Sequence, residues 1–184
     1  MMNTGLNKCF SKAELNGLSL RNRIIKAGTF EGKTPQGLPS ADLTELHRRI
    51  GEGGAGMTTI AYCAAENNGR LHADMMYMDE YVREPLSQMI ATIKTTGAKV
   101  SGQLSHAGAM TKNSEMDGWI AKSASFGPNL LGMAYGRFLA LGMTRPQLRE
   151  RAQVMARAAA FMRSVGFDAI EIHFGHGYGL SQFM

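Results

Sequence analysis

Short apolar segments alternate with amphipathic segments along this chain, and this alternation constrains the fold more than any other sequence feature. Apolar segments such as MTTIAYCA (57–64) are rich in β-forming residues and do not alternate apolar with polar side chains. Strands of that kind are typical of parallel sheets whose faces are covered by helices. The sequence therefore predicts a parallel α/β architecture, and it is compatible with both an open doubly wound sheet and a (β/α) barrel.

The predicted order is strand, helix, strand, helix, strand, helix, strand. We expect strands at 23–29, 57–64, 98–106 and 167–174, and helices at 39–56, from Val82 to about Thr96, and from Thr144 to Gly166. Apolar residues at three- and four-residue spacing predict the buried face of a helix. In the second helix this face is Val82, Leu86, Met89, Ile90 and Ile93. In the third helix it is Leu148, Ala152, Met155, Ala159 and Met162.

Capping residues predict where these helices begin and end. Ser40 is expected to cap the first helix, and the glycines at 51, 53 and 54 are expected to end it. Thr144, with Gln147 three residues later, has the pattern of a capping box. The run GEGGAG (51–56) precedes a strand, whereas a dinucleotide-binding fingerprint follows a strand and opens a helix. The run therefore favours a helix end over a Rossmann fingerprint.

Composition and charge exclude several classes of protein. Apolar residues make up 44% and charged residues 19% of the 184 residues, which is typical of a globular chain. The net charge of +5 comes from scattered basic residues without interleaved aromatic residues, so we expect no nucleic-acid partner. No window approaches 18 continuous apolar residues, so we expect no membrane association.

Cysteine usage and the N-terminal segment predict a cytoplasmic protein. Cys9 and Cys63 show no spacing typical of a disulfide framework or a zinc site. Cys63 lies in an apolar run and is expected to be a buried thiol. The N-terminal segment lacks the pattern of a signal peptide.

Residues 107–143 are rich in glycine and show no regular hydrophobic period. A stretch of that length inside a compact domain is usually functional or mobile. We therefore expect a single domain over residues 1–184, with an irregular excursion at about 107–143.

Polar side chains follow four successive predicted strands. The first strand ends at Ala27, Gly28 and Thr29; the second at Tyr62 and Cys63; the third at Gln103, with His106 just beyond; and the fourth at Glu171, His173, His176 and Tyr178. In parallel α/β folds, functional groups collect at the carboxyl ends of the strands. We therefore expect these groups to converge on one rim of the sheet.

The cluster of His173, His176 and Tyr178 is the most informative of these groups. Two adjacent imidazoles can donate hydrogen bonds to a single oxygen that gains negative charge. A nearby tyrosine, with an ordinary pKa of about 10, is protonated at neutral pH and can deliver a proton to an adjacent carbon. This pattern favours hydride addition to an α,β-unsaturated carbonyl, a reaction that needs a hydride source such as a flavin.

Structural and metal-binding interpretations compete with this one. The residues open to a purely structural interpretation are His47, His72, Tyr62 and Gln103. The spacing of His173 and His176 also suits a metal ion, with Glu171 or His106 as a third ligand. That arrangement would fit a metal-dependent lyase or hydrolase.

Four segments resemble, in order, the first four strand regions of the old yellow enzyme family of FMN-dependent NAD(P)H:flavin oxidoreductases. They are NRIIKAGTFEG (22–32), GLPSADLTELHRRIGEGGAGMTTIAYCAAENNGR (37–70), GQLSHAG (102–108) and GFDAIEIHFGHGYGLSQF (166–183). The resemblance implies an eight-stranded (β/α) TIM barrel, of which this chain supplies about the first four β/α units. It also implies FMN as cofactor, NAD(P)H as reductant, and an activated alkene such as an enone as substrate.

The resemblance also implies roles for individual residues. His173 and His176 would hold the substrate carbonyl oxygen, and Tyr178 would donate the proton. The residues implied to contact the flavin are Ala27, Gly28, Thr29, Tyr62 and Gln103. Tyr62 stands where many members have a small residue, and Phe30 where many have Thr or Cys near flavin O4. These two departures bear on flavin tuning and substrate preference.

Length is the third departure, since family members are roughly twice as long, in line with a complete barrel. The resemblance places an arginine near the flavin N1 edge and the phosphate-binding loops in a second half. A four-stranded half leaves two sheet edges unpaired, so we expect it to associate with a second copy or a complementing C-terminal half. A catalytically silent half-barrel that assembles with a partner is the alternative function.

Overall fold

The structure, a computed structural model, describes residues 4–113, 120–130 and 132–184. Its helices are α1 (Thr4–Cys9), α2 (Ala41–Glu52), α3 (Arg83–Lys94) and α4 (Arg145–Ser164). Its strands are β1 (Ala13–Leu15), β2 (Leu18–Leu20), β3 (Ile25–Lys26), β4 (Met57–Ala64), β5 (Lys99–Ser105), β6 (Ala121–Ser123), β7 (Gly127–Pro128), β8 (Leu139–Gly142) and β9 (Ala169–Ile172). Short 3₁₀ turns lie at Pro35–Gly37, Asn67–Gly69, Glu80–Val82, Gly108–Met110, Gly132–Tyr135 and Ser181–Phe183.

The main sheet has four parallel strands in the order β3-β4-β5-β9. Helices α2, α3 and α4 connect successive strands, which confirms the predicted alternation. The first predicted strand, 23–29, is reduced to Ile25–Lys26, which pairs only with β4. Strand β9 is the other edge and pairs only with β5. Two sheet edges are thus open within the described residues.

Helix α3 buries the face that the sequence predicted. Its members Leu86, Met89, Ile90 and Ile93, with Val82 just before the helix, are all buried in one apolar cluster. Each fully buried side chain of this size stabilises the fold by about 1.5–3 kcal/mol through removal of apolar surface from water. Packing between this helix and the sheet therefore follows directly from the apolar spacing in the sequence.

Helix α4 is rotated relative to the prediction. Its buried residues are Val154, Ala158 and Met162, whereas Ala152 of the predicted face is exposed. The prediction was right in part, since Met162 is buried and Met155 and Ala159 pack, partly buried, against the same cluster. The centre of the buried face is shifted towards Val154 and Ala158. Gly102 of β5 lets the helix approach closely, since a Cβ there would overlap Met162.

Both predicted N-terminal caps are present. Ser40 Oγ accepts the Leu43 backbone N–H at 3.1 Å, and Gln147 Oε1 accepts the Thr144 N–H at 2.9 Å in a capping box. Gly51, which we expected to help end α2, lies inside the helix. A Cβ at this position would overlap Thr96, so this glycine serves close packing against the segment that follows α3.

Residues 107–143, expected to be irregular, contain a small sheet in the order β6-β8-β7. Strand β8 pairs in parallel with β6 and antiparallel with β7. Asn129 Nδ2 donates to the Ala109 backbone oxygen at 2.9 Å and joins this small sheet to the 3₁₀ turn Gly108–Met110, which follows β5. In the described part of the chain, no helix is long and apolar enough to cross a membrane.

Candidate active site

The structure brings the three predicted catalytic side chains together just beyond β9. His173 Nε2 and His176 Nδ1 lie 3.1 Å apart and share a hydrogen bond. The Tyr178 ring centroid lies 5.2 Å from that of His173 and 5.7 Å from that of His176. His173 and Tyr178 are both buried, whereas His176 is exposed. The cluster therefore has a protected interior and an accessible side.

A left-handed turn produces this arrangement. His176 and Gly177 have φ angles of 61° and 69°, so the chain reverses directly after the strand. The Tyr178 N–H donates to the Gly175 oxygen at 3.2 Å, and the Gly179 N–H donates to the His106 oxygen at 2.7 Å. The first bond closes the turn, and the second ties it to the residue that follows β5. The glycine-rich spacing of the motif is thus needed to return Tyr178 towards His173.

The mutual hydrogen bond of the two imidazoles determines how they can bind a ligand. One of His173 Nε2 and His176 Nδ1 donates in this bond and the other accepts. A ligand oxygen that accepts an N–H from each ring must replace it. Burial, followed by the neighbouring His176, lowers the pKa of His173 below its usual value. His173 is therefore neutral at neutral pH and can either donate or accept in the mutual bond.

Tyr178 is held in its protonated form. Burial raises the pKa of its phenol to about 12, and the neighbouring phenol of Tyr62 acts in the same direction. A phenol with this pKa retains its proton throughout the physiological range. Tyr178 is therefore suited to donate a proton rather than to act as a base.

Gln103 and Gly28 meet at the same rim. Gln103 is buried, and its Nε2 donates to Glu171 Oε1 at 2.5 Å, in line with their direct pairing across β5 and β9. A Cβ at Gly28 would lie 2.6 Å from Gln103 Nε2, so only a glycine leaves this amide undisturbed. The structure thus places the tips of the first, third and fourth strands side by side.

These residues fit the polar edge of a flavin ring. That edge alternates hydrogen-bond donors and acceptors, and a primary amide such as Gln103 offers both kinds of group. The missing side chain at Gly28 allows a flat ring to approach the backbone closely. Ala27 and Thr29 flank this position and are exposed. Thr29 Oγ1 donates to the Ala27 oxygen at 3.3 Å.

Aromatic rings extend the site from the His/Tyr cluster towards the first strand. The Tyr62 ring centroid lies 6.4 Å from those of His173 and Tyr178. On its other side the Phe30 ring lies 5.7 Å away, and Phe30 in turn contacts His72 edge-on at 5.5 Å. Tyr62 therefore joins the residues expected to contact the cofactor to those expected to contact the substrate.

His47 is a buried residue of α2, and its contacts give it a structural role. It is fully buried, and its Nδ1 lies 2.6 Å from Thr58 Oγ1. Its Nε2 is 3.6 Å from Glu31 Oε1, and Glu31 also pairs with Lys26. Burial alone would raise the pKa of Glu31, but hydrogen bonds from His47 and Lys26 outweigh it and lower the value. The structural interpretation of His47 agrees with these contacts.

His106 belongs to a second polar cluster that the sequence did not reveal. Its Nε2 lies 3.2 Å from Glu66 Oε1, and Arg151 contacts both side chains. Its Nδ1 accepts the Gly108 N–H at 3.0 Å. Glu66 and Arg151 are 85 residues apart in sequence, and no local pattern connects them.

The described residues contain no group of three or more His, Cys, Asp or Glu side chains placed to hold a metal ion. His106, one of the two candidates for a third ligand beside His173 and His176, is committed to Glu66. The other candidate, Glu171, accepts from Gln103. The arrangement of the histidine pair instead suits hydrogen bonding to a ligand oxygen.

Comparison with known sequences decides the family. The profile of the NADH:flavin oxidoreductase / NADH oxidase family matches residues 9–184. The chain belongs to this family. FMN is the cofactor of the family, and NAD(P)H is its reductant.

Curated relatives in this family include proteins with different printed activities. The chain is 40% identical over 176 residues to a 4,4'-dithiodibutanoate disulfide reductase from Rhodococcus erythropolis, covering 95% of this chain and 42% of the relative. It is 28% identical over 182 residues to an NADPH dehydrogenase from Bacillus licheniformis, covering 96% and 51%. The chain thus spans about half the length of these relatives.

Solved structures of the family share the fold. An old yellow enzyme from a Pichia species superposes with a TM-score of 0.85 at 19% identity, covering 96% of this chain and 48% of that one. Morphinone reductase superposes with a TM-score of 0.79 at 18% identity, covering 92% and 50%. The four β/α units therefore form part of a (β/α)8 TIM barrel, as the family resemblance implied.

Proposed function

We propose that this chain carries the substrate-side catalytic residues of an FMN-dependent reductase that transfers hydride from NAD(P)H to the β-carbon of an α,β-unsaturated carbonyl. The observation that supports the proposal is the juxtaposition of His173, His176 and Tyr178 on the rim that also holds Gln103 and Gly28. Two imidazole N–H donors for an oxygen and a protonated phenol are the groups this reduction requires.

The residues of this chain hold the substrate and move one proton. The substrate carbonyl oxygen displaces the mutual hydrogen bond of His173 and His176. It accepts an N–H from each ring once the ring that accepted in that bond has changed tautomer and carries its proton on the facing nitrogen. As hydride reaches the β-carbon, negative charge develops on that oxygen, and the two donors stabilise it. Tyr178 gives its hydroxyl proton to the α-carbon, so the alkene gains one hydride and one proton.

FMN, when bound, supplies the hydride that it has received from the reduced nicotinamide. In this proposal the Gln103 amide binds the polar edge of the ring, and the backbone at Ala27, Gly28 and Thr29 lies along it. Gln103 is held for this role by its bond to Glu171. Tyr62 adjoins the ring from the second strand.

An organic disulfide is a second candidate substrate, because the 40% identical relative is a disulfide reductase. Hydride attack on one sulfur would break the S–S bond and release the other sulfur as a thiolate. Tyr178 would protonate that thiolate, so two electrons and two protons yield two thiols. The same side chains can serve both reactions, since each needs one bound acceptor and one proton.

Mixing the reduced holoenzyme anaerobically with 2-cyclohexenone or with a dicarboxylate disulfide separates these candidates. Flavin reoxidation by the enone, with formation of the saturated ketone, is the expected result. Reoxidation of the flavin by the disulfide but not by the enone would indicate that organic disulfides are the substrate class. Reoxidation by neither compound, in a protein that NADPH still reduces, would contradict the proposal for both classes.

Activity of the whole protein requires the other strands of the barrel in this proposal, because the chain spans about half of its relatives. Strands β3 and β9 are each open on one side and can accept them. We propose a complementing C-terminal half as the natural partner and a second copy as the alternative. A half-barrel without either partner would be catalytically silent, and purified chain that remains colourless with added FMN would indicate that state.

A further inference from the structure

Strand β4 contains an irregularity next to the candidate site. Ile60 pairs with Gly102 of β5, but the next pair is Cys63 with Leu104. Three steps along β4 therefore match two steps along β5, so β4 carries one extra residue. Such a β-bulge redirects a side chain and increases the local twist of the strand.

Tyr62 lies in this bulge in a left-handed conformation, with a φ of 57°. This region is unfavourable for an aromatic residue by roughly 1–2 kcal/mol. The other described non-glycine residues with positive φ are Asn16 and Gln36, which lie in turns, and His176 of the candidate site. Tyr62 is the one that lies inside a strand, and glycine or asparagine would adopt this conformation at lower cost.

The bulge has a clear consequence for the direction of the Tyr62 side chain. Ile60 is fully buried in the core against the helices. Regular two-residue alternation would point residue 62 to the same helix-facing side. The extra residue instead turns Tyr62 to the rim, where its ring meets His173 and Tyr178.

We propose that Tyr62 is a positioning residue for the proton donor, and that its phenol holds the Tyr178 phenol against the histidine pair. The inference rests on the proposed function, in which Tyr178 donates the proton. Tyr62 contacts Tyr178 on one side and Phe30 on the other, so the orientation of its own ring is set by packing. The unfavourable left-handed conformation of Tyr62 is retained because it brings the Tyr62 ring to the rim, next to Tyr178.

The titratable groups that face Tyr178 are His173, His176 and Tyr62. After burial, Tyr62 is the main cause of the raised pKa of Tyr178. Removing the Tyr62 hydroxyl while keeping its ring therefore tests the contact with little change in packing.

The test uses ¹⁹F NMR of the protein labelled with 3-fluorotyrosine, compared with its Tyr62→Phe variant. Tyr178→Phe assigns the resonance of residue 178. Tyr77→Phe is the matched control, because Tyr77 stacks on Tyr81 at 4.7 Å, outside the candidate site. We expect Tyr62→Phe to lower the midpoint at which Tyr178 titrates by about half a pH unit or more. Tyr77→Phe is expected to leave this midpoint unchanged.

In the FMN-loaded enzyme, Tyr62→Phe should slow acceptor reduction by about tenfold and move its alkaline limit to lower pH, since the donor is less well held. Tyr62→Asn, which tolerates positive φ, provides the same two measurements if the phenylalanine variant does not fold. An unchanged Tyr178 titration with an unchanged rate would overturn the inference. If Tyr178→Phe itself reduced the acceptor at the wild-type rate, the proposed function would fail, whereas the titration would still report on the Tyr62 contact.

Discussion

His173 Nε2 and His176 Nδ1 share a hydrogen bond of 3.1 Å, so each ring satisfies the other at the point where a substrate oxygen would bind. The pair is therefore assembled before any ligand arrives. A ligand oxygen replaces this one hydrogen bond with two when the accepting ring changes tautomer. Preorganisation of this kind reduces the free-energy cost of binding. Protonation of both rings would abolish this bond, because an imidazolium has no acceptor nitrogen.

The lowered pKa of His173 predicts a loss of stability in acid. The folded state favours neutral His173, so its contribution to stability is complete above the unfolded value of about 6.5 and is lost as the pH falls through the lower folded value. We expect the free energy of unfolding to fall less between pH 7 and pH 5 in His173→Gln than in wild type. Glutamine keeps a polar group near Nε2 but does not titrate. Equal falls in urea unfolding experiments would argue against this role of His173.

Tyr178→Phe should affect the two half-reactions differently. Loss of the proton donor should slow flavin reoxidation by an enone by about 10²-fold or more, while flavin reduction by NADPH proceeds at its wild-type rate. Anaerobic stopped-flow absorbance of the flavin measures both rates, and Tyr77→Phe serves as a control for loss of a phenol elsewhere. Equal slowing of both half-reactions would exclude a specific role in proton donation.

Gly28→Ala should weaken FMN binding. A Cβ at this position would lie 2.6 Å from Gln103 Nε2 and displace the amide proposed to bind the ring. Overpacking of this kind costs about 1–3 kcal/mol, which corresponds to a rise in Kd of roughly 5- to 150-fold. Gly127→Ala is the matched control, since nothing lies within 4 Å of its Cβ. Fluorescence titration with FMN measures the affinities, and identical values for the two variants would refute the proposed contact.

The cluster around Glu66 should contribute to stability. Arg151→Met removes a partner of both Glu66 and His106 and leaves a partly buried carboxylate less well compensated. We expect a loss of about 1–3 kcal/mol in the free energy of unfolding. Arg49→Met breaks an exposed pair with Glu45 and should leave this free energy nearly unchanged, because solvent screens such a pair. Urea unfolding measures the free energy of unfolding of both variants. Similar losses in the two variants would contradict a stabilising role of the Glu66 cluster.

Local sequence patterns determined most of the scaffold. The apolar runs, the spacing from Val82 to Ile93 and the caps at Ser40 and Thr144 predicted the order of strands and helices. They succeeded because each depends on neighbours within a few residues, where helix and strand geometry is regular. The His173, His176 and Tyr178 cluster was predictable for the same reason, since all three lie on one turn.

Tertiary packing decided the remaining features. The rotation of α4, the position of Gly51 inside α2 and the cluster of Glu66 with Arg151 depend on segments distant in sequence. The bulge that turns Tyr62 to the rim depends on how β4 pairs with β5, which the residues of β4 alone do not encode. The sequence by itself thus established which chemical groups follow each strand. Only the packed sheet decided which of them touch, because those contacts arise between strands rather than along them.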